Sequence, residues 1–235
     1  MHGALHPRNW PLPLRRLGPP ALVLLVAALA SLHAWVSPVR WSDPDFLYYQ
    51  AKALSFRGQD EHTALHEAFA SPLADEVLAG ERAELREDPA APRKFTNPHW
   101  IDYSSRFYHR RILVPLMAAA IYPIFGLRSV LTMSLIGYLL ISLALFALLR
   151  RRFGLWTSAV VAGVCVLAPP LRHASFVPGT DSWGLLLEIC ALLAAVLTFD
   201  RGSRWIAAWF VSLAALSVTR DDSVVPLVAA ACLLL

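Results

Sequence analysis

Three separated acidic positions and a few arginines are the residues best suited to chemistry in this chain. Asp43 and Asp45 lie in WSDPDFLYYQAKAL, residues 41–54, just where the chain leaves its first apolar block. Asp181 lies in VPGTDSWGLLLEI, and Arg220, Asp221 and Asp222 lie in SVTRDDSVVPL. A carboxylate at a membrane boundary can take a proton from a hydroxyl or amine. A second can hold a divalent cation, Mg2+ or Mn2+, that neutralises a leaving phosphate. Asp43 and Asp181 are the candidate metal ligands in that scheme. Arginines such as Arg110, Arg111 and Arg220 can fork onto phosphate oxygens. Together these parts suit transfer from a lipid-linked phosphate donor. Each acid also has a simpler role open to it. Asp43 and Asp45 can mark a helix end, and Asp181 can accept the unpaired backbone N–H groups of the helix that follows.

The elements that must position these groups are apolar. The chain has 235 residues, 57% of them hydrophobic, and a mean hydropathy of +0.50. That is too apolar for an ordinary soluble domain and predicts an integral membrane protein, an all-α bundle of transmembrane helices. The first apolar block, residues 20–36, follows Arg8, Arg15 and Arg16 and reads as an uncleaved anchor whose N-terminus, residues 1–19, is cytoplasmic. The segment 37–110 holds twelve of the seventeen acidic residues and no spanning stretch. Residues 37–128 are expected to form a large extracytoplasmic loop with short helices. Its last part, 112–126, is about fifteen apolar residues with two prolines, short for a span and suited to a juxtamembrane helix. Further blocks at 129–149, 154–171, 183–199, 204–219 and from 223 onward bring the expected number of spans to about six.

Charge fixes the expected sidedness. If 112–126 does not cross, Arg150–Arg152 and the turn holding Arg201 and Arg204 both face the cytoplasm, as the positive-inside rule requires. Asp43, Asp45, Asp181 and Arg220 then all reach the outer face of a bacterial-type plasma membrane. The last block has about thirteen residues against the roughly twenty of a span, so the reading frame is expected to continue.

Other features carry less. Cys165, Cys190 and Cys232 sit in apolar blocks without metal-binding spacing. His62 and His66, at i and i+4 beside Glu61 and Glu67, can share a metal face, but no third ligand is evident. Most tryptophans lie near block ends, as in an aromatic belt. Glu188 falls inside a span, two turns beyond Asp181. The arginines flank apolar blocks and form no basic face, which excludes nucleic-acid binding.

In this order the motifs resemble the GT-C glycosyltransferases, membrane enzymes that use polyprenyl-phosphate sugars and include protein O-mannosyltransferases and aminoarabinose transferases. Asp45, Tyr49 and Ala53 after the first helix look like the family's first-loop motif. RRILVPLMAAAIYPIFGLRSV is similar to its juxtamembrane helix, and the stretches around Arg150–Arg152, Asp181 and Arg220 follow in the family's order. The resemblance implies that Asp45 is the catalytic base, with Asp43 in place of the acid many members carry after it. It implies that Tyr49, Arg110, Arg111, Asp181, Arg220 and Asp222 bind donor or acceptor. The expected partners are a polyprenyl-phosphate sugar, the bilayer, and an extracytoplasmic glycan, lipid or protein acceptor. A transporter or flippase-like protein and a non-catalytic scaffold are the alternatives. A transporter would show internal repeats and broken helices near the midplane, and no repeat is visible.

Overall fold

A computed structural model describes residues 12–36, 43–87, 95 and 97–220, and every regular element among them is helical. The long helices are α1 (Leu12–Val36), α8 (Ser129–Leu149) and α11 (Asp181–Arg201). Shorter ones follow the chain between and after them. These are α2 (Phe46–Phe56), α3 (Glu61–Phe69), α4 (Pro72–Val77), α5 (Ala79–Glu87), α6 (Pro98–Ser105), α7 (Leu113–Phe125), α9 (Leu155–Leu167), α10 (Pro169–Phe176) and α12 (Ile206–Ser217).

Among the described residues three stretches are long and apolar enough to cross a membrane: Leu17–Val36, Leu113–Leu149 and Asp181–Arg201. A fourth exists if α9 and α10, bent by 63° at their junction, count as one. The bilayer-compatible surface is visible on them. Leu25, Leu29 and Leu32 of α1, Val160 and Val164 of α9, and Phe210 and Val211 of α12 all point outward. A soluble domain seldom exposes so much contiguous apolar surface. Three or four spans among the described residues compare with about six expected for the whole chain. α12 has only 12 residues, and the block from 223 lies outside the described residues. α1 also starts earlier than residue 20, running through Pro19 and Pro20. Proline's fixed φ is helical, so each enters the helix at the loss of one backbone hydrogen bond.

The stretch Leu113–Leu149 is not one rod. In a straight helix Val114 and Met133 would stand about 28 Å apart. Instead both belong to one packed cluster with Tyr49, Ala53, Ala118 and Val130. The chain turns between α7 and α8 at Gly126, whose φ of +53° suits a residue without Cβ. α7 thereby packs across the first turns of α8 and against α2.

The two ends of the bundle differ in charge. Arg151, in the turn after α8, pairs with Asp200 near the end of α11. The two basic turns therefore meet at one end. The opposite end gathers the start of α8, the start of α11 and the end of α12, with α11 spanning about 30 Å between the two. There Trp183 Nε1 donates to the Met133 carbonyl at 2.8 Å, and Gly179 and Ser134 exchange two hydrogen bonds at 3.0 and 3.2 Å. Small residues allow this closeness. A Cβ on Gly137 would come within 2.8 Å of Ser182 Oγ.

The bend after α9 has a clear cause. Pro169 and Pro170 lack the N–H groups that the carbonyls of Cys165 and Val166 would accept in a continued helix. The hydroxyl of buried Tyr138 donates to the Val166 carbonyl instead, at 2.7 Å. Tyr138→Phe is expected to destabilise the fold by about 1–3 kcal/mol, since it strands a buried acceptor. Thermal unfolding in detergent measures it.

The loop helices start where their caps predict. Asp60 caps α3 through the Thr63 N–H at 3.2 Å. Ser71 and Asn97 cap α4 and α6, each followed by a proline at the first helical position. Their core is Phe46, Leu47, Tyr48, Leu65 and Phe69. His109 is tied to Glu61 at 2.8 Å, which fastens α3 to the segment leading into α7.

Candidate functional site

Most of the candidate residues come together at the acidic end. α2 begins directly after Asp45, yet the Asp45 side chain makes no capping bond. Asp43 does the local work. Its Oδ1 accepts from the Asp45 backbone N–H at 3.0 Å, and its side chain is exposed. Asp45 is left to turn toward Tyr108, whose hydroxyl favours its ionised form.

Burial pushes the Asp45 carboxyl above its ordinary range. The Tyr108 hydrogen bond opposes that rise, nearby Asp43 adds to it, Arg111 opposes it, and Asp181 adds to it. The Tyr108 hydroxyl is raised as well, chiefly by burial and then by its bond to Asp45. Tyr108 stacks on Tyr48 with ring centroids 4.6 Å apart and lies edge-on to Tyr49 at 5.2 Å. The Arg111 guanidinium stands 5.5 Å from the Tyr108 ring centre.

Arg111 also donates to the Tyr49 hydroxyl at 2.6 Å. That hydroxyl lies 3.5 Å from Thr180 Oγ1, a long contact next to Asp181. Tyr49 reaches this point because it is one helical turn beyond Asp45, with its ring against Gly179. Arg220 closes the ring of contacts by donating to Asp181 Oδ1 at 3.0 Å. α12 places it there, since the Val218 carbonyl at the end of α12 accepts from the N–H groups of Ile112 and Leu113. Arg111 and Arg220 are thus delivered by two segments joined backbone to backbone. The result is a half-buried cluster of two carboxylates, two guanidiniums and two tyrosine hydroxyls at the end of an apolar bundle. One carboxylate, Asp45, is made more basic by burial. The guanidiniums can meet an anion.

Several expected residues stand elsewhere. Arg110 is exposed in the turn before α7, while its neighbour Arg111 faces the cluster. Asp222 and Asp221 lie outside the described residues. Among the described residues no three His, Cys, Asp or Glu side chains converge on a point where a metal could sit. Of the two expected metal ligands, Asp43 accepts a backbone amide and Asp181 pairs with Arg220. His62 and His66 face a separate cavity in the loop helices together with Arg82 and Arg86.

Three contributors went unnoticed in the sequence. Tyr108 is in RFYHRR, an aromatic whose only signal in the sequence is the pair of arginines beside it. Thr180 is adjacent to Asp181. Gly184, one turn into α11, lies under the Arg220 stem, and a Cβ there would stand 2.4 Å from Arg220 Cδ. Gly184→Ala is therefore expected to push Arg220 off Asp181 while helix propensity alone would favour alanine by about 1 kcal/mol. Thermal stability should stay near wild type. Any activity depending on Arg220 should fall about tenfold or more. Kinetics and unfolding of the same variant check both. No protein-family model, no curated protein and no solved structure matches this chain.

Proposed function

We propose that this chain is a membrane glycosyltransferase of GT-C type that moves a sugar from a polyprenyl-phosphate donor to an extracytoplasmic acceptor. The observation that carries this reading is the joining of Asp45, Tyr108, Tyr49 and Arg111 with Asp181 and Arg220 at one end of an apolar helical bundle. A lipid-linked donor keeps its polyprenyl chain in the bilayer, so its phosphate and sugar sit at such an end. The second basic pair of turns lies at the other end, in keeping with a cytoplasmic side there.

In this reading the Asp45 carboxylate accepts the proton of an acceptor hydroxyl as its oxygen attacks the anomeric carbon. The bond from that carbon to the phosphate oxygen breaks, and polyprenyl phosphate leaves with the electron pair. Arg111 and Arg220 offset the charge that grows on the phosphate. Asp45 is suited to the proton transfer because burial has already made its carboxylate more basic. Tyr49 and Tyr108 fix the positions of Arg111 and Asp45. Positive charge at the leaving group comes from guanidiniums, so the reaction is expected to proceed in EDTA.

Clustering at one end argues against a transport pathway, which needs polar groups along the membrane interior. The test is the purified chain in liposomes, given a labelled polyprenyl-phosphate sugar and a crude envelope acceptor fraction. Label moving to the acceptor, with or without EDTA, is the expected result. Donor recovered intact under all conditions would sink the proposal.

A further inference from the structure

The extramembrane helices hold a cavity of about 530 Å³, and none of the residues lining it belongs to the Asp45 cluster. Its size falls within the range of small-molecule sites, roughly 300–1,000 Å³. Its floor is apolar, built from Leu65, Phe69, Phe95 and Ile101. Its polar lining is mostly basic or imidazole. α3 contributes His62 and His66, and α5 contributes Arg82 and Arg86. Each pair is spaced i, i+4, which sets both members on one face of their helix.

The walls are held by contacts outside the cavity. Arg82 pairs with Asp75 of α4, and the Glu81 carboxylate accepts from the Phe95 N–H at 3.0 Å. Arg82 is thereby turned partly to a structural partner, and Arg86 is the exposed guanidinium of the lining. One acid, Asp102, also lines the space. With Arg82 paired to Asp75, the polar groups left to meet a ligand are the Arg86 guanidinium and the two imidazoles, with Asp102 beside them, above an apolar floor.

We infer that this cavity binds an organic anion, an apolar body carrying a phosphate or carboxylate head. The apolar part lies on Leu65, Phe69 and Ile101, and the head meets Arg86 and the imidazoles. Two sources share this chemistry, a soluble phosphate ester and an anionic lipid headgroup. The lipid is within reach by chemistry, because α6 supplies Ile101 to the cavity while exposing Trp100 and Tyr103, residue types favoured at membrane interfaces. The inference is independent of the reaction assigned to Asp45.

Calorimetric titration of the full chain in neutral detergent tests it, with 1-naphthyl phosphate as the probe and uncharged 1-naphthylmethanol as the control. A second arm places the chain in nanodiscs with and without phosphatidylglycerol and follows the part of the tryptophan fluorescence that Trp100→Phe removes, since the chain has 8 tryptophans. The inference expects saturable binding of the phosphate but not of the alcohol, or a saturable response to phosphatidylglycerol; the responding arm identifies the source. Arg86→Gln should weaken that binding about tenfold or more by removing a charge-assisted contact. Ala70→Trp, at the exposed rim, fills the cavity without changing charge and should abolish it. No binding in either arm overturns the inference. Equal binding of phosphate and alcohol does so too, as does binding that survives Ala70→Trp. Circular dichroism of both variants, matching wild type, separates loss of the site from loss of the fold.

Discussion

Asp45→Asn should abolish sugar transfer and leave the protein at least as stable as wild type at pH 7. The two effects have one cause. Burial raises the Asp45 carboxyl above its ordinary value of 3.8 in the folded chain. The folded state therefore holds the Asp45 proton more tightly than the unfolded chain does. The stabilisation linked to that proton is complete below 3.8 and disappears as pH rises through the folded value. Above that value the ionised carboxylate opposes folding. Asparagine has no charge to bury and can still accept from Tyr108. Its melting temperature should accordingly equal or exceed wild type at pH 7, with the difference shrinking toward pH 3. Transfer should fall by about 10²–10⁴-fold, the range a positioned base contributes. Equal losses of stability and activity would instead mark Asp45 as a structural residue.

Arg111→Ala is the second large effect. Arg111 bonds Tyr49, lies over Tyr108 and lowers the Asp45 carboxyl. Its removal should raise the KM for the donor about tenfold or more, through loss of a charged contact to phosphate. It should also move the pH profile. Without the guanidinium the Asp45 carboxyl rises further, so the acid limb of kcat/KM shifts to higher pH. A residue that merely packs would not produce that shift. Arg111→Lys keeps the charge but loses the planar fork and the face-on contact with Tyr108, so it should restore only part of the donor affinity. Initial rates across donor concentration and pH, for all three proteins, read out each effect.

The helical bundle was legible because hydropathy writes long apolar blocks directly into the chain. The helix of the 112–126 block was legible too. Two prolines, about fifteen apolar residues and a following glycine predict a short helix that ends in a turn, and α7 ends at Gly126. The number of spans was less legible: the apolar block 204–219 yields an α-helix of only 12 residues, α12.

The site was legible in its acids and only partly in its partners. Asp43 and Asp45 have the same side chain and lie two residues apart, so sequence alone left their roles open. The fold separates them: Asp43 closes a turn on a backbone amide, and Asp45 faces Tyr108 and Arg111. Arg110 and Arg111 pose the same problem, and the turn before α7 aims only one of them inward. Tyr108, Thr180 and Gly184 were missed because each acts through a contact between segments distant in sequence. Gly184 matters only because Arg220, from another helix, crosses it.

The most direct measurement compares Asp43→Asn and Asp45→Asn in a single-turnover assay with purified protein, labelled polyprenyl-phosphate sugar and acceptor. With Asp45 as the base, wild type and Asp43→Asn should transfer label within severalfold of one another, while Asp45→Asn should leave the donor intact over the same period. Transfer by Asp45→Asn at the wild-type rate would contradict the account.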